Sequence, residues 1–265
     1  MLYGIDISEW NGKNVPVSKY DFIILRAAIG NYDGSGCQMD ELFSYNYNKC
    51  RNAGKPVGVY IYSYARNKKE ALQEAEFMVD LLKGKQIDVG VWFDFEDADN
   101  WKQKHDFSWT VANCSDICKT FCDRMEKAGY YSGIYASLWM LDNYIEDYSH
   151  DKWVAAWGMN TGQPDYLVTN YGTMQQYTSI ESGCYDGDVC FLESLDAYRS
   201  DPVDKPEPVA DAVTELGTMI HKIALDVIAG KYGDGAERMQ KLGIYYDMIQ
   251  SVVNSILLKE GTNET

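Results

Sequence analysis

Two carboxylates spaced two residues apart, Asp94 and Glu96, close the run Val89-Gly90-Val91-Trp92-Phe93-Asp94-Phe95-Glu96-Asp97. The residues before them are mostly apolar, β-branched or aromatic, with no Pro, which reads as a parallel strand buried on both faces. Alternate side chains of a strand share a face, so Asp94 and Glu96 point one way and Phe95 and Asp97 the other. Two neighbouring carboxylates on a buried strand are unfavourable, because each loses hydration and repels the other. The chemistry that uses such a pair is acid/base catalysis, in which one pKa is pushed up while the other group stays ionised. The competing reading is that Asp94 or Glu96 caps the next helix or pairs with a base.

Holding such a pair in place requires neighbouring strands, and the sequence supplies them. Leu2 to Ile7 reads as a strand with one acid, Asp6, near its end; Asp21 to Ala28 reads as a second, and Pro56 to Ala65 as a third with Tyr60, Tyr62 and Tyr64 on one face. Helices are predicted over Asp40–Ala53, Lys68–Lys83 and Ser108–Ala128, with a short one over Leu138–Tyr144. Further strands are predicted over Tyr131–Ala136, Lys152–Gly158, Thr173–Thr178 and Gly187–Leu192. Strands alternating with helices make an α/β fold with a parallel sheet. Eight strands within the first ~195 residues fit an irregular (β/α) barrel, in which chemistry sits at the C-terminal ends of the strands. Asp6, Asp94 and Glu96 fall at those ends.

Residues 200–210 hold three of the 6 prolines among Asp and Glu, the composition of an extended, semi-rigid linker. Beyond it the periodicity is purely helical: Thr218–Ala229, Ala236–Leu242 and Tyr246–Leu258. The expected organisation is a barrel over 1–199, a linker over 200–214 and a small three-helix bundle over 215–260. The bundle's core is Ile220, Ile223, Ala224, Val227, Ile228, Leu242, Ile249, Val253 and Ile256, thin enough that its own stability should be modest.

The formal net charge of -16 argues against nucleic acid or an anionic membrane held through basic patches. With 14% aromatic residues, 21 of them Tyr, the chain is rich in rings, which stack on sugars and equally fill cores. Of the 7 Cys, Cys114, Cys118 and Cys122 recur every four residues and line one helix face, as buried small hydrophobes in a reduced compartment. No secretory signal opens the chain and no apolar run reaches membrane-spanning length.

From about Leu2 to Tyr198 the chain resembles glycoside hydrolase family 25, the lysozymes of phages, bacteria and some fungi. The resemblance rests on GIDISEWNG (4–12), DFIILRAAIG (21–30), GKPVGVYIYSYA (54–65), VWFDFED (91–97), AGYYSGIYAS (128–137), KWVAAWG (152–158), MQQYTS (174–179) and YDGDVC (185–190), in order. It implies cleavage of the β-1,4 bond between N-acetylmuramic acid and N-acetylglucosamine in peptidoglycan. It also implies catalytic roles for Asp6, Asp94, Glu96 and Asp186: Glu96 as proton donor, Asp94 as its partner, Asp6 and Asp186 tuning both. Asp188 competes with Asp186 for the last position. Tyr60, Tyr62, Trp92, Tyr135, Trp157 and Gln176 are candidates for lining the sugar groove, and barrel core is the alternative for each. The i, i+2 spacing leaves retention or inversion of the anomeric centre open.

The tail resembles a short cell-wall-binding repeat of phage lysozymes, through Ala224–Gly235, Glu237-Arg238, Leu242-Gly243, Tyr246-Asp247 and Gln250–Asn254. That resemblance implies wall contacts by Asp226, Tyr232 and Arg238; the alternative is that Asp226 and Arg238 pair to hold the bundle. The expected partner is bacterial peptidoglycan, with no cofactor, metal, nucleic acid or membrane, and with oligomerisation through the tail left open. The expected setting is a phage or prophage endolysin made in the host cytoplasm and released through a holin. Rival classes fit less well. A family 18 chitinase needs an acid where Trp92 stands. A zinc amidase needs clustered His, and His105, His150 and His221 are not at ligand spacing. A non-catalytic sugar-binding barrel would have lost Asp94 or Glu96.

Overall fold

The computed structural model describes residues 1–200, 220, 222–242 and 245–261. The chain divides into two compact units, Met1–Val203 and Asp204–Thr265.

In the first unit β1 (Leu2–Ile7), β2 (Phe22–Ile29), β4 (Val57–Tyr62), β5 (Val91–Asp94), β6 (Ser132–Ser137), β7 (Asp151–Ala155), β8 (Met174–Glu181) and β9 (Tyr185–Cys190) form a closed barrel. The order runs β1-β9-β8-β7-β6-β5-β4-β2, and β1 closes onto β2. A two-residue strand, β3 (Gln38–Met39), adds to the end of β2. The eight barrel strands run parallel except β9, which is antiparallel to both β8 and β1; the added β3 is antiparallel to β2. The first residues of β9 therefore lie at the same mouth as the last residues of the parallel strands, and Asp186 is the register partner of Asp6.

Helices α1 (Phe43–Asn52), α2 (Lys68–Leu82) and α4 (Val111–Lys127) accompany the barrel, with two short helices, α3 (Trp101–Lys104) and α5 (Leu138–Tyr144), following β5 and β6. Asn67 caps α2 by accepting from the Glu70 amide, and Thr110 caps α4 by accepting from the Asn113 amide. The buried face of α4 is Cys114, Ile117, Cys118, Phe121, Cys122 and Met125, so the three cysteines are core residues and all three are free thiols. Phe93, facing outward from β5, stacks on Phe121 with ring centroids 4.4 Å apart. Burying one such side chain contributes roughly 1.5–3 kcal/mol.

The inward faces pack by alternating large rings with glycine. A Cβ on Gly133 would lie 2.5 Å from the Trp92 ring, and one on Gly4 would lie 2.4 Å from the Phe22 ring. Trp92, Trp153, Phe22 and Tyr198 fill the barrel below the carboxylate end.

The strand expected over Val89–Asp97 is only Val91–Asp94, because Gly90 adopts φ 75°, a left-handed conformation that breaks the extended run. Helix α3 and strand β3 are too short to carry a periodic signal. The linker was expected to start at 200, yet Ser200 is buried in the first unit: it pairs with Ile87 and its hydroxyl accepts from the Tyr131 amide. The rest of that linker, 201–214, and the expected helix start at Thr218 lie outside the described residues.

In the second unit the described helices are α6 (222–228), α7 (Gly235–Leu242) and α8 (Tyr246–Gly261). Their core is Ala224, Val227, Leu242, Ile249 and Val253, flanked by Ile220, Ile223 and Ile256. Ile228, expected in that core, is exposed at 39%.

Candidate active site

Asp6 near the end of β1, Asp94 at the end of β5, Glu96 two residues further and Asp186 near the start of β9 converge on one cavity of about 200 Å³. Tyr60, Tyr135, Trp153, Trp157 and Gln176 complete its lining. Gln176 organises one wall: its amide nitrogen donates to Asp6 Oδ2 at 2.8 Å. Its amide oxygen accepts from the Tyr135 hydroxyl at 2.9 Å and from Trp157 Nε1 at 2.8 Å. A glutamine supplies both a donor and an acceptor, so it holds a carboxylate and two aromatic side chains at once.

The electrostatics follow from burial and crowding. Burial, then the charge of Asp186, raises Asp6 well above the usual carboxylate range, against the hydrogen bond from Gln176. Asp94 is raised well above that range by burial and then by Glu96, and Lys102 opposes the shift. One Asp94 oxygen, Oδ1, is buried without a hydrogen-bond partner. Glu96, less enclosed, is raised by burial; Lys102 lowers it and Asp186 adds to the rise. Burial pushes Asp186 up to about 6. Ionising one of these groups makes the next ionisation harder, so the cavity retains protons at pH values where solvated carboxylates are fully charged.

Of the residues singled out from sequence, Asp6, Asp94, Glu96, Asp186, Tyr60, Tyr135, Trp157 and Gln176 meet at this cavity. Trp92 does not. It points inward, as the spacing to Asp94 requires, but one layer deeper, where it is 0% exposed and its Nε1 donates to the Val89 carbonyl at 2.7 Å. Asp188 is likewise a buried residue below the cavity, accepting from Trp153 Nε1 at 2.8 Å. Tyr62 opens onto a neighbouring groove of about 580 Å³, with Trp10, Tyr32, Tyr64 and Arg26. A second groove, of about 430 Å³, begins at Glu96 and is lined by Trp109, Trp139 and Tyr144. Trp10 and Trp139 are exposed at 83% and 60%. The helix cap imagined for Asp94 or Glu96 falls instead to Asp97, which accepts from the Lys102 and Gln103 amides.

Sequence reasoning missed Trp153 and Lys102. Trp153 shares the alternate-residue face of Trp157 within KWVAAWG, a signal that was available. Lys102 sits outside every matched motif. Among the described residues, no group of three or more His, Cys, Asp or Glu is placed to hold a metal ion.

In the tail, Asp226 and Arg238 do not pair with each other. Asp226 binds Lys231 Nζ at 2.6 Å. Arg238 donates to Asp234 at 3.1 Å, to Gln250 at 3.2 Å and to the Gly233 carbonyl at 3.1 Å, joining α7 to α8. Tyr232 packs on the small core.

Comparison with known proteins adds the family. The model of glycosyl hydrolases family 25 matches residues 5–184, and that of the CW_7 repeat matches residues 221–257. No curated protein sequence matches the chain. Among solved structures, the modular autolysin LytC from Streptococcus pneumoniae, in complex with a synthetic peptidoglycan ligand, superposes with a TM-score of 0.59 at 24% identity. That match covers 71% of this chain and 46% of LytC, so the chain spans less than half the autolysin's length. The Clostridium perfringens spore cortex lytic enzyme SleM matches at TM-score 0.62 and 21% identity, over 75% of this chain and 69% of SleM. The catalytic domain of an endolysin from bacteriophage P40 of Listeria monocytogenes matches at TM-score 0.58 and 20% identity, over 75% and 97% of the two chains. At such identities the likeness is one of fold.

Proposed function

The chain belongs to glycosyl hydrolase family 25, and on that premise we propose that it is an endolysin-type N-acetylmuramidase. In this reading it hydrolyses the β-1,4 bond between N-acetylmuramic acid and N-acetylglucosamine in bacterial peptidoglycan. The observation that carries the reading is the gathering of Asp6, Asp94, Glu96 and Asp186 around one cavity at the mouth of the barrel.

Glu96 is the proton donor. It borders both the central cavity and the groove lined by Trp109 and Trp139, so it can reach the oxygen that leaves toward that groove. Its pKa is raised by burial, which favours the protonated form that donation requires. As the proton moves to the glycosidic oxygen, the bond from that oxygen to the anomeric carbon breaks. Positive charge then develops on the sugar ring. Asp94, ionised, stabilises that charge directly or through the substrate's own N-acetyl oxygen. Water adds to the anomeric carbon and gives up its proton to a carboxylate of the site, which restores the starting state. Asp6 and Asp186 tune this exchange: Asp186 raises both Asp6 and Glu96. Substrate covering the cavity excludes water and strengthens every one of these interactions.

The tail, carrying the CW_7 repeat, holds the enzyme on the wall, with Asp226, Tyr232 and Arg238 as its proposed contacts. The organisation that goes with this is a catalytic barrel ending at Ser200, a connecting segment and a helical wall-binding domain. The biological setting is a phage or prophage lysin that reaches the wall through a holin.

Mass spectrometry of purified peptidoglycan tests the reading. Wild type should leave new reducing ends at muramic acid, and Glu96→Gln almost none, a loss of at least about 100-fold. New ends at glucosamine would make the enzyme a glucosaminidase. Released peptides with no new sugar ends would exclude glycosidase action.

A further inference from the structure

Lys102 and Glu74 are buried, ionisable and unused by the mechanism above, and burial pushes the Glu74 carboxyl up to about 7. Lys102 is 1% exposed, under the ends of β4 and β5. Its Nζ donates to the Ser63 carbonyl at 2.5 Å and to the Glu96 carbonyl at 2.6 Å. Its own amide donates to Asp97 Oδ1 at 2.6 Å. The same Ser63-Tyr64 pair is gripped from the other side by Glu74 of α2, which accepts from the Ser63 hydroxyl at 2.7 Å and from the Tyr64 amide at 2.9 Å. A continuous chain of contacts thus runs from α2 through the end of β4 to Lys102, and from Lys102 to the backbone of Glu96.

A buried lysine is costly unless its charge is matched. The groups facing this one are Glu74 from α2, Asp94 from β5, Asp97 from the β5–α3 turn and Cys118 from α4. The rings of Phe95 and Tyr64 lie 5.1 and 5.9 Å from its ammonium. Arg26 is the other cation acting on Asp94, and its guanidinium is occupied by Asp40 at 2.8 Å and Glu9 at 2.9 Å. Lys102 therefore provides the largest positive charge acting on both Asp94 and Glu96.

We propose that Lys102 is a positioning residue of the hydrolytic site: its ammonium holds the backbone carbonyl of Glu96 and places a buried positive charge beneath the Asp94–Glu96 pair. Glu74 grips the same Ser63-Tyr64 segment from α2 and faces the ammonium. The proposal rests on the glycosidase reading for its consequence in turnover, but not for the electrostatics.

The test uses the full chain with Lys102→Met, Lys102→Arg and Glu74→Gln. Reducing-end release is measured across pH, and carboxyl 13C shifts of Asp94 and Glu96 are titrated in parallel. In Lys102→Met both limbs of the rate profile, and both carboxyl titrations, should move up by about one pH unit or more. Lys102→Arg keeps the charge, so its limbs should stay near wild type even where its maximal rate falls, since a planar fork fits a point-charge site poorly. A packing role alone would lower the rate of Lys102→Met and leave its limbs in place, and that outcome overturns the proposal. If Lys102→Met does not fold, Glu74→Gln decides: Glu74 ionises only near pH 7, so removing it leaves the ammonium's field less offset above that pH; the alkaline limb should move down, and an unmoved alkaline limb overturns the proposal. If wild type releases no reducing ends, the glycosidase reading fails, while the two carboxyl titrations still decide the role of Lys102.

Discussion

Asp94 shows what a buried carboxylate costs the fold. It is fully enclosed, one oxygen has no partner, and burial with the neighbouring Glu96 raises its pKa. A carboxyl whose folded pKa lies above its unfolded value binds protons more readily in the folded state. Its effect is therefore a loss of stability as pH rises from about 3.9, the unfolded value, through the raised folded value. Asp186 acts in the same direction over the window from about 3.9 up to its folded value of about 6. Asp94→Asn removes the charge and keeps the shape. It should stabilise the protein at pH 7 by roughly 1–3 kcal/mol, with the gain shrinking toward pH 4 and turnover lost. Thermal melts of both proteins across pH check this; a gain that grows on acidification would contradict the assigned shift. Trp92 and Asp188 give the same lesson in reverse. Both point inward, yet each lies one layer below the cavity, a depth that alternation along a strand does not specify.

At the scale of elements, the barrel's cavity stands on a floor made by pairing rings with glycines. Trp92 of β5 presses on Gly133 of β6, its register neighbour, and cannot retreat, because it is enclosed by Trp153 and Tyr198 and its indole nitrogen is bonded to Val89. Gly133→Ala should therefore overpack the floor and cost roughly 1–3 kcal/mol, seen as a lower midpoint in thermal or urea unfolding. An unchanged midpoint would mean that the ring has room to move. The strands themselves were legible, since each is a short apolar run bounded by turn residues. The β5–α3 turn was not. Its conformation depends on Asp97 capping a four-residue helix and on Lys102 tying it to β4, contacts between residues that no periodicity links.

For the whole molecule, the proposed function assigns cleavage to one unit and holding to the other. The barrel contains all four cavity carboxylates, while the tail contains the CW_7 repeat and its own small core. A chain ending at Val203 should release reducing ends from soluble glycan fragments at a rate within about twofold of the full chain, because the described residues that line the cavity all belong to the barrel. On intact walls it should bind several-fold more weakly, since linking two binding modules raises effective concentration. Co-sedimentation with purified walls, beside the soluble assay, checks both halves. Equal sedimentation of the two forms would remove the wall-binding role from the tail. Arg238→Ala in the full chain should weaken sedimentation too, by parting α7 from α8.

The sequence by itself determined the alternation of strands and helices, the break in composition after the barrel, and the family, through eight short motifs in order. It also pointed to Asp6, Asp94 and Glu96, because acids at the ends of apolar strands stand out against their surroundings, and to Asp186 through the family resemblance. Only the tertiary structure decided which inward residues reach the cavity and which lie beneath it, and that Ser200 still belongs to the barrel. Only the tertiary structure brought Lys102 and Glu74 together beneath the turn that carries Glu96. The physical reason is that pattern along a chain reports which face a side chain takes. Depth, charge balance and hydrogen-bond partners are set by elements distant in sequence, and these meet only when the barrel closes.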